Sequence, residues 1–246
     1  MIVERAYAHA AEAETGAGDW PWSVPCVRQL LDEGLRFTAP VTFLVGENGS
    51  GKSTLVEALA EGFGLDPWGG SAGYRYAGPR APSVLGGRIR FEAGAAGRRM
   101  LRGPHTRRRG FFLRAETALD ALGREERTGR VSGSPEEMSH GEGFLMAFRE
   151  RFAEPGLYVL DEPESALSFA SCLELVLTFD ALSRTGAQII CATHSPLLTA
   201  LPGADVLEVG AHGIRRTEWR DLELVDHWRR YLDDPWSYLR HLMDRP

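Results

Sequence analysis

Lysine is nearly missing from this chain. Of its 28 Lys+Arg residues only Lys52 is a lysine, so arginine carries the positive charge everywhere else. Cysteine is scarce as well. Cys26, Cys172 and Cys191 are odd in number, far apart and set among apolar neighbours, which excludes a disulfide framework and a close-spaced zinc site and predicts reduced, buried thiols. No apolar run approaches the ~20 residues that a membrane helix needs. The stretch from Met1 to Gly18 mixes Glu and Ala without an apolar centre, so no signal peptide is expected. A net charge of −6 gives no bulk attraction to nucleic acid or to an acidic bilayer. Internal repeats and low-complexity segments are absent. What remains, 43% hydrophobic and 25% charged residues in 246, fits a soluble cytoplasmic protein and a single domain over 1–246.

The lone lysine stands in Gly46-Glu47-Asn48-Gly49-Ser50-Gly51-Lys52-Ser53-Thr54, which fits the phosphate-loop pattern G-x-x-x-x-G-K-[ST]. A compact ammonium can enter a ring of backbone N–H groups beside a triphosphate, whereas a planar guanidinium cannot do so in the same way. The context supports the motif. Val41–Val45 is a β-rich run, Lys52–Glu61 has helical spacing with Leu55, Val56 and Leu59 on one face, and Gly62 and Gly64 stop it. Backbone N–H groups at the helix start would face the phosphates, and the Ser53 hydroxyl would reach Mg²⁺. The Lys52 side chain is expected to have no structural role of its own in the nucleotide-free protein.

Further along, Leu157–Asp161 and Gln188–Thr193 read as buried parallel strands, Phe169–Arg184 as a helix, and Val206–Val209 with Gly213–Thr217 as a terminal hairpin. Two amphipathic helices are expected near Asp221–Leu232 and Pro235–Met243. Strand–helix alternation implies an α/β fold with a largely parallel sheet. Residues 66–87 read as loop. Arg88–Phe91, Arg98–Leu101 and Gly110–Leu113 read as short strands of an antiparallel, arginine-rich lobe over about 66–114. A short helical region spans about 115–152, with 124–138 as a polar connection.

Three constellations are ambiguous one by one. Asp161-Glu162 after a strand can hold Mg²⁺ and polarise water, or simply cap a turn. His194 at the end of another strand can bond a γ-phosphate, or cap a turn. Ser139-His140-Gly141-Glu142 can present a helix N-terminus to a phosphate, or serve as an ordinary capping box.

Their order along the chain, from Val41 to Pro196, resembles the ATPase domain of the ATP-binding-cassette (ABC) superfamily. On that resemblance Gly46–Thr54 is similar to Walker A, so Glu47, Asn48, Gly49, Ser50, Gly51, Lys52, Ser53 and Thr54 would bind ATP. Met138–Glu142 is similar to the signature motif, with Ser139, Gly141 and Glu142 facing the ATP of a second subunit. Leu157–Glu162 looks like Walker B, giving Asp161 for Mg²⁺ and Glu162 as the catalytic glutamate. Ser165–Ser168 looks like the D-loop and His194 like the switch histidine. The spelling departs from the family at His140 and Glu142. The family's Q-loop glutamine has no counterpart, since the only glutamines are Gln29 and Gln188. Glu116 stands at the expected strand end as a replacement near the metal. The implied fold is a P-loop NTPase of ABC ATPase type, with a largely parallel core sheet, an antiparallel β lobe and a very short helical subdomain.

From Glu116 to Met138 there are 21 intervening residues, small for the docking subdomain of a transporter subunit and too few for a long coiled coil. With Glu162-Pro163-Glu164 and Thr193-His194-Ser195-Pro196, the chain looks most like stand-alone soluble ATPases related to the RecF, SMC and OLD-type groups. The resemblance implies ATP hydrolysis with Mg²⁺, an ATP-dependent homodimer, and a soluble protein or nucleic-acid partner. The alternatives are the ATP-binding subunit of a membrane transporter, which the short insertion disfavours, and a nucleotide-sensing assembly switch. Residues 86–114 hold nine arginines and one glutamate, a local asymmetry that suits a nucleic-acid or phosphate contact, a solvated lobe, or arginines that approach the nucleotide phosphates. Trp20 and Trp22 lie at a plausible distance for stacking on adenine, although core tryptophan is the commoner use.

Overall fold

Apolar runs bounded by glycine and acid leave little choice of position: they must be sandwiched. In the computed structural model of the chain, which describes residues 1–8, 19–67, 69–71, 83–102, 108–114, 148, 154–240 and 242–243, those runs form the centre of one sheet. Its strands are β3 (Val41–Val45), β4 (Gly70–Ser71), β6 (Gly110–Arg114), β7 (Leu157–Asp161), β8 (Gln188–Thr193), β9 (Asp205–Gly210) and β10 (Gly213–Arg216). They lie in the order β10-β9-β3-β8-β7-β6-β4. The five central strands are parallel, and β10 and β4 close the edges antiparallel. The α/β class with a largely parallel core is thus the observed architecture.

The pleat sorts side chains to two cores. Leu44, Phe112, Val159, Ile190 and Leu207 face one side, packed with the helices α1 (Pro25–Asp32) and α2 (Lys52–Phe63). Phe43, Leu113, Leu160, Cys191 and Val206 face the other, against α4 (Phe169–Arg184), whose Leu175, Phe179 and Leu182 are buried. Each such apolar side chain contributes roughly 1.5–3 kcal/mol on burial.

An antiparallel sheet is present, but it is built differently from the lobe expected over 66–114. It joins β1 (Val3–Tyr7), β2 (Leu35–Arg36) and β5 (Arg90–Ala93) in the order β2-β1-β5. Of the three short strands read in the arginine-rich stretch, Gly110–Arg114 belongs to the parallel sheet. Arg98–Arg102 is a short helix, α3. It starts at a glycine turn whose Gly97 lies so close to the Ile2 carbonyl that a Cβ would come within 1.8 Å, and the Leu101 N–H returns to the Gly97 carbonyl. The terminal hairpin and the two following helices, Glu223–Asp233 and Pro235–Leu239, stand close to where the sequence puts them.

Gln188, one of the two glutamines that could not serve as a Q-loop, clips the two sheets together. Its Oε1 accepts the Ile2 and Val3 N–H groups at 3.0 and 2.8 Å, and its Nε2 donates to the Val3 carbonyl at 2.9 Å, all out of contact with solvent. Gln188→Ala should therefore leave buried backbone groups unpaired and cost about 3 kcal/mol. Urea denaturation should show the midpoint falling at unchanged slope.

Candidate functional site

The C-terminal ends of β3, β7 and β8 meet on one edge of the sheet, where open α/β sheets bind ligands. At β3 the chain turns through the glycine loop into α2. Gly51, the residue before the helix, has φ 101° and sits over Cys26 Sγ and Val24 Cγ1, both 2.6 Å from where a Cβ would stand. Only glycine fits that left-handed, crowded position. No side chain caps the start of α2, so its first N–H groups are left to face whatever anion lies in the loop. Beneath the loop, the Cys26 thiol donates to the Ser50 carbonyl at 3.4 Å, and burial pushes its pKa up to about 11, so it acts as packing.

Lys52 is buried, with Nζ donating to the carbonyls of Gly46 at 2.7 Å and Glu47 at 3.0 Å. This corrects the expectation of a side chain without structural contacts. The ammonium folds back over its own loop, where the two carbonyls offset part of its desolvation. Burial lowers its pKa, while the negative charge of Glu162, then Asp161, Glu47 and Glu164, works the other way.

The acids lie close by. Ser53 Oγ donates to Asp161 Oδ1 at 3.0 Å, which brings the two expected Mg²⁺ ligands side by side. Burial pushes the Asp161 carboxyl up to about 6, opposed by the Ser53 hydrogen bond and by the Arg114 guanidinium. Arg114 closes β6 in register with Asp161. Its Nη1 reaches Glu57 of α2 at 3.1 Å and its Nε lies 3.9 Å from Asp161 Oδ2. This cation beside the acidic pair was missed in the sequence, where it reads as one arginine of a basic run.

Glu162 has φ 51° and ψ 50°, a left-handed conformation that a non-glycine residue rarely adopts outside functional turns. The turn aims its carboxylate at β8, with Oε1 3.2 Å from His194 Nε2. The D-loop-like Ser165 and Ser168 are exposed and bonded locally. Ser165 Oγ donates to the Glu162 carbonyl at 2.9 Å, and Ser168 caps α4 by accepting the Ser171 N–H.

Beside the loop is a cleft of about 580 Å³ lined by Gly46–Ser50 and His194 on one side and by Glu208, Gly210 and His212 of the β9–β10 turn on the other. The residues suit a magnesium–nucleotide. An ammonium lies in a glycine cradle, helix N–H groups are uncapped, and a hydroxyl and a carboxylate form a hard oxygen pair. Of the two tryptophans, Trp22 is core, buried under the Arg88 guanidinium at 4.6 Å, while Trp20 is exposed, 68%.

Ser139, Gly141, Glu142 and Glu116 lie outside the described residues. The arginine stretch is not one solvated face. Arg108 donates to the Phe63 carbonyl at the end of α2 at 2.6 Å and stacks on the Phe63 ring, and Arg109 pairs with Glu154 at 2.9 Å. With Arg114 turned toward Glu57, two of the arginines that suggested a nucleic-acid surface are engaged within the fold, whereas Arg109 and its partner are exposed, as are Arg90, Arg98, Arg99 and Arg102.

Two family models match parts of the chain: "AAA domain, putative AbiEii toxin, Type IV TA system" over residues 112–200, and "AAA domain" over 27–67. Between them they take in the acidic turn, the β8 histidine and the glycine loop. Among curated proteins, an ABC-type transporter of Penicillium crustosum is 36% identical over 64 residues, 26% of this chain and only 9% of that protein. Among solved structures, an ATP-binding subunit of an ABC transporter superposes with a TM-score of 0.50 at 18% identity, covering 98% of this chain and all of its own. The protein cbiO1 of Clostridium perfringens, part of the ABC transporter complex cbiONQ, gives 0.47 at 18% identity over 86% and 90% of the two chains.

Proposed function

Because the chain has the fold and the motif order of the ABC-type P-loop ATPases, we propose that it binds MgATP in the cleft beside the glycine loop and hydrolyses it. The observation that carries this reading is the convergence of Lys52, the Ser53–Asp161 pair and the Glu162–His194 pair at the ends of three adjacent strands. Lys52 would exchange its bonds to Gly46 and Glu47 for β- and γ-phosphate oxygens. Ser53 and Asp161 would hold Mg²⁺, which when bound offsets charge on those oxygens. Glu162 would orient the attacking water and accept its proton, and His194 would donate to the γ-phosphate. Of Trp20 and Trp22, Trp20 has the exposed ring and would be the one to stack on adenine.

We further propose that a second copy completes the site through Ser139, Gly141 and Glu142, giving a homodimer only with ATP bound. The dimer would act on a soluble protein or nucleic-acid partner, with Glu116 near the metal. A second reading, the ATP-binding subunit of a membrane transporter, is favoured by what the structural relatives are. No described helix is long and apolar enough to cross a membrane.

Purified protein should release phosphate from MgATP, and EDTA should stop it. Absence of both release and MgATP binding would overturn the ATPase reading. Copurification of the tagged protein from soluble and detergent-extracted membrane fractions separates the two partner readings.

A further inference from the structure

We propose that Glu164 is the residue that positions the His194–Glu162 pair, an inference that rests on the ATPase reading. Glu164 lies two residues beyond Glu162 in the single-turn helix Pro163–Ala166 and is not itself one of the residues that line the cleft. Its Oε1 accepts two short hydrogen bonds from the β8 turn, 2.6 Å from the Thr193 hydroxyl and 2.6 Å from the His194 N–H. Thr193 Oγ1 in turn accepts the Ser195 N–H at 2.9 Å, so one carboxylate oxygen organises three successive residues. In the opposite direction the Glu162 N–H donates to the Ala192 carbonyl at 2.9 Å. The acidic turn and the histidine turn are therefore strapped to each other on both sides of the 3.2 Å contact between Glu162 and His194.

The strap carries a cost that stability does not explain. Glu164 Oε2 is buried and, among the described residues, without a hydrogen-bond partner. A buried carboxylate oxygen left unpaired is unfavourable, and such groups are rare in folded proteins. The left-handed backbone at Glu162 adds strain in the same turn. Both are expected where a fold gives up stability to hold reactive groups in one geometry. The His194 N–H bond fixes the backbone from which the imidazole springs, so losing it frees the ring to leave Glu162. An error of about 1 Å in such a pair costs on the order of 100-fold in rate.

Two variants and two measurements test this. Glu164→Ala removes both acceptors, whereas Glu164→Gln keeps an oxygen that can accept from Thr193 and His194. In Glu164→Ala, MgATP affinity by calorimetry should stay within about threefold of wild type, because the glycine loop, Lys52, Ser53 and Asp161 are untouched and only the His194 contact is loosened, while kcat falls roughly 10- to 100-fold. Glu164→Gln should recover most of that loss. Amide hydrogen exchange in the peptide 189–197 should speed up about tenfold or more in Glu164→Ala, as a lost 2.6 Å bond to the His194 N–H requires, and remain slow in Glu164→Gln. Wild-type kcat in a Glu164→Ala protein that binds MgATP would overturn the proposal, as would a Glu164→Gln protein as slow as Glu164→Ala. If the wild-type protein neither binds nor hydrolyses MgATP, the ATPase reading fails by itself; the exchange measurement still decides whether Glu164 holds the His194 turn.

Discussion

Glu162→Gln should trap two chains around ATP. The substitution keeps size and hydrogen-bonding capacity, and it leaves Lys52, Ser53 and Asp161 in place, so MgATP affinity should change by no more than a few-fold. What it removes is the carboxylate that takes up the proton of the attacking water, and loss of such a base costs roughly 10²–10⁴ in rate. With hydrolysis blocked, the ATP-bound state persists. Light scattering of Glu162→Gln with MgATP should report twice the 27.1 kDa of one chain, against a single chain with ADP. Ser139→Arg in the same background should abolish the doubling by putting a long cation where the facing phosphate would lie. A single chain under all conditions would leave Ser139–Glu142 as an ordinary capping box. A dimer indifferent to nucleotide would break the link between hydrolysis and assembly.

The strands and helices that position this site were legible because each is a long, unambiguous pattern. Val41–Val45, Leu157–Asp161 and Gln188–Thr193 are continuous apolar runs buried on both faces, and Phe169–Arg184 repeats its apolar residues at helical spacing. Of the antiparallel sheet only β5 was legible, as the run Arg88–Phe91. Its strands come from three distant segments, one only two residues long, and two of them carry arginine in the middle of the pairing, at Arg5 and Arg36. The charge run was only partly legible for a related reason. A guanidinium can cap carbonyls and cover an aromatic ring, as Arg108 does on Phe63, so a basic string does not by itself mark a solvated face. Among the described residues, the strand ends bring Lys52, Ser53, Asp161, Glu162 and His194, all named by motif, close together. Arg114 and Glu164 were silent because their meaning depends on register: Arg114 matters only when β6 pairs it with Asp161, and Glu164 only when β7 and β8 end side by side.

Substitution of the single lysine should have the largest effect on binding. In the nucleotide-free protein the ammonium is held by the Gly46 and Glu47 carbonyls, so Lys52→Ala also gives up two hydrogen bonds. Hydrogen bonds to charged groups contribute about 1.5–3 kcal/mol each. Replacing two phosphate contacts by nothing should therefore weaken MgATP binding by roughly 10²–10³-fold or more, at 1.4 kcal/mol per decade. The more searching variant is Lys52→Arg. It keeps the charge and uses the cation that this chain prefers everywhere else. A planar guanidinium is too wide for the space that a buried ammonium fills between two loop carbonyls, and it would press on the loop crossing over Cys26 at Gly51. Isothermal titration with MgATP should find Lys52→Arg nearly as impaired as Lys52→Ala, with both proteins cooperatively folded by thermal melting. If Lys52→Arg binds MgATP like the wild type, the loop selects charge and not shape, and the near-absence of lysine elsewhere says nothing about position 52. If Lys52→Ala also binds normally while folded, the phosphates do not lie in this loop at all.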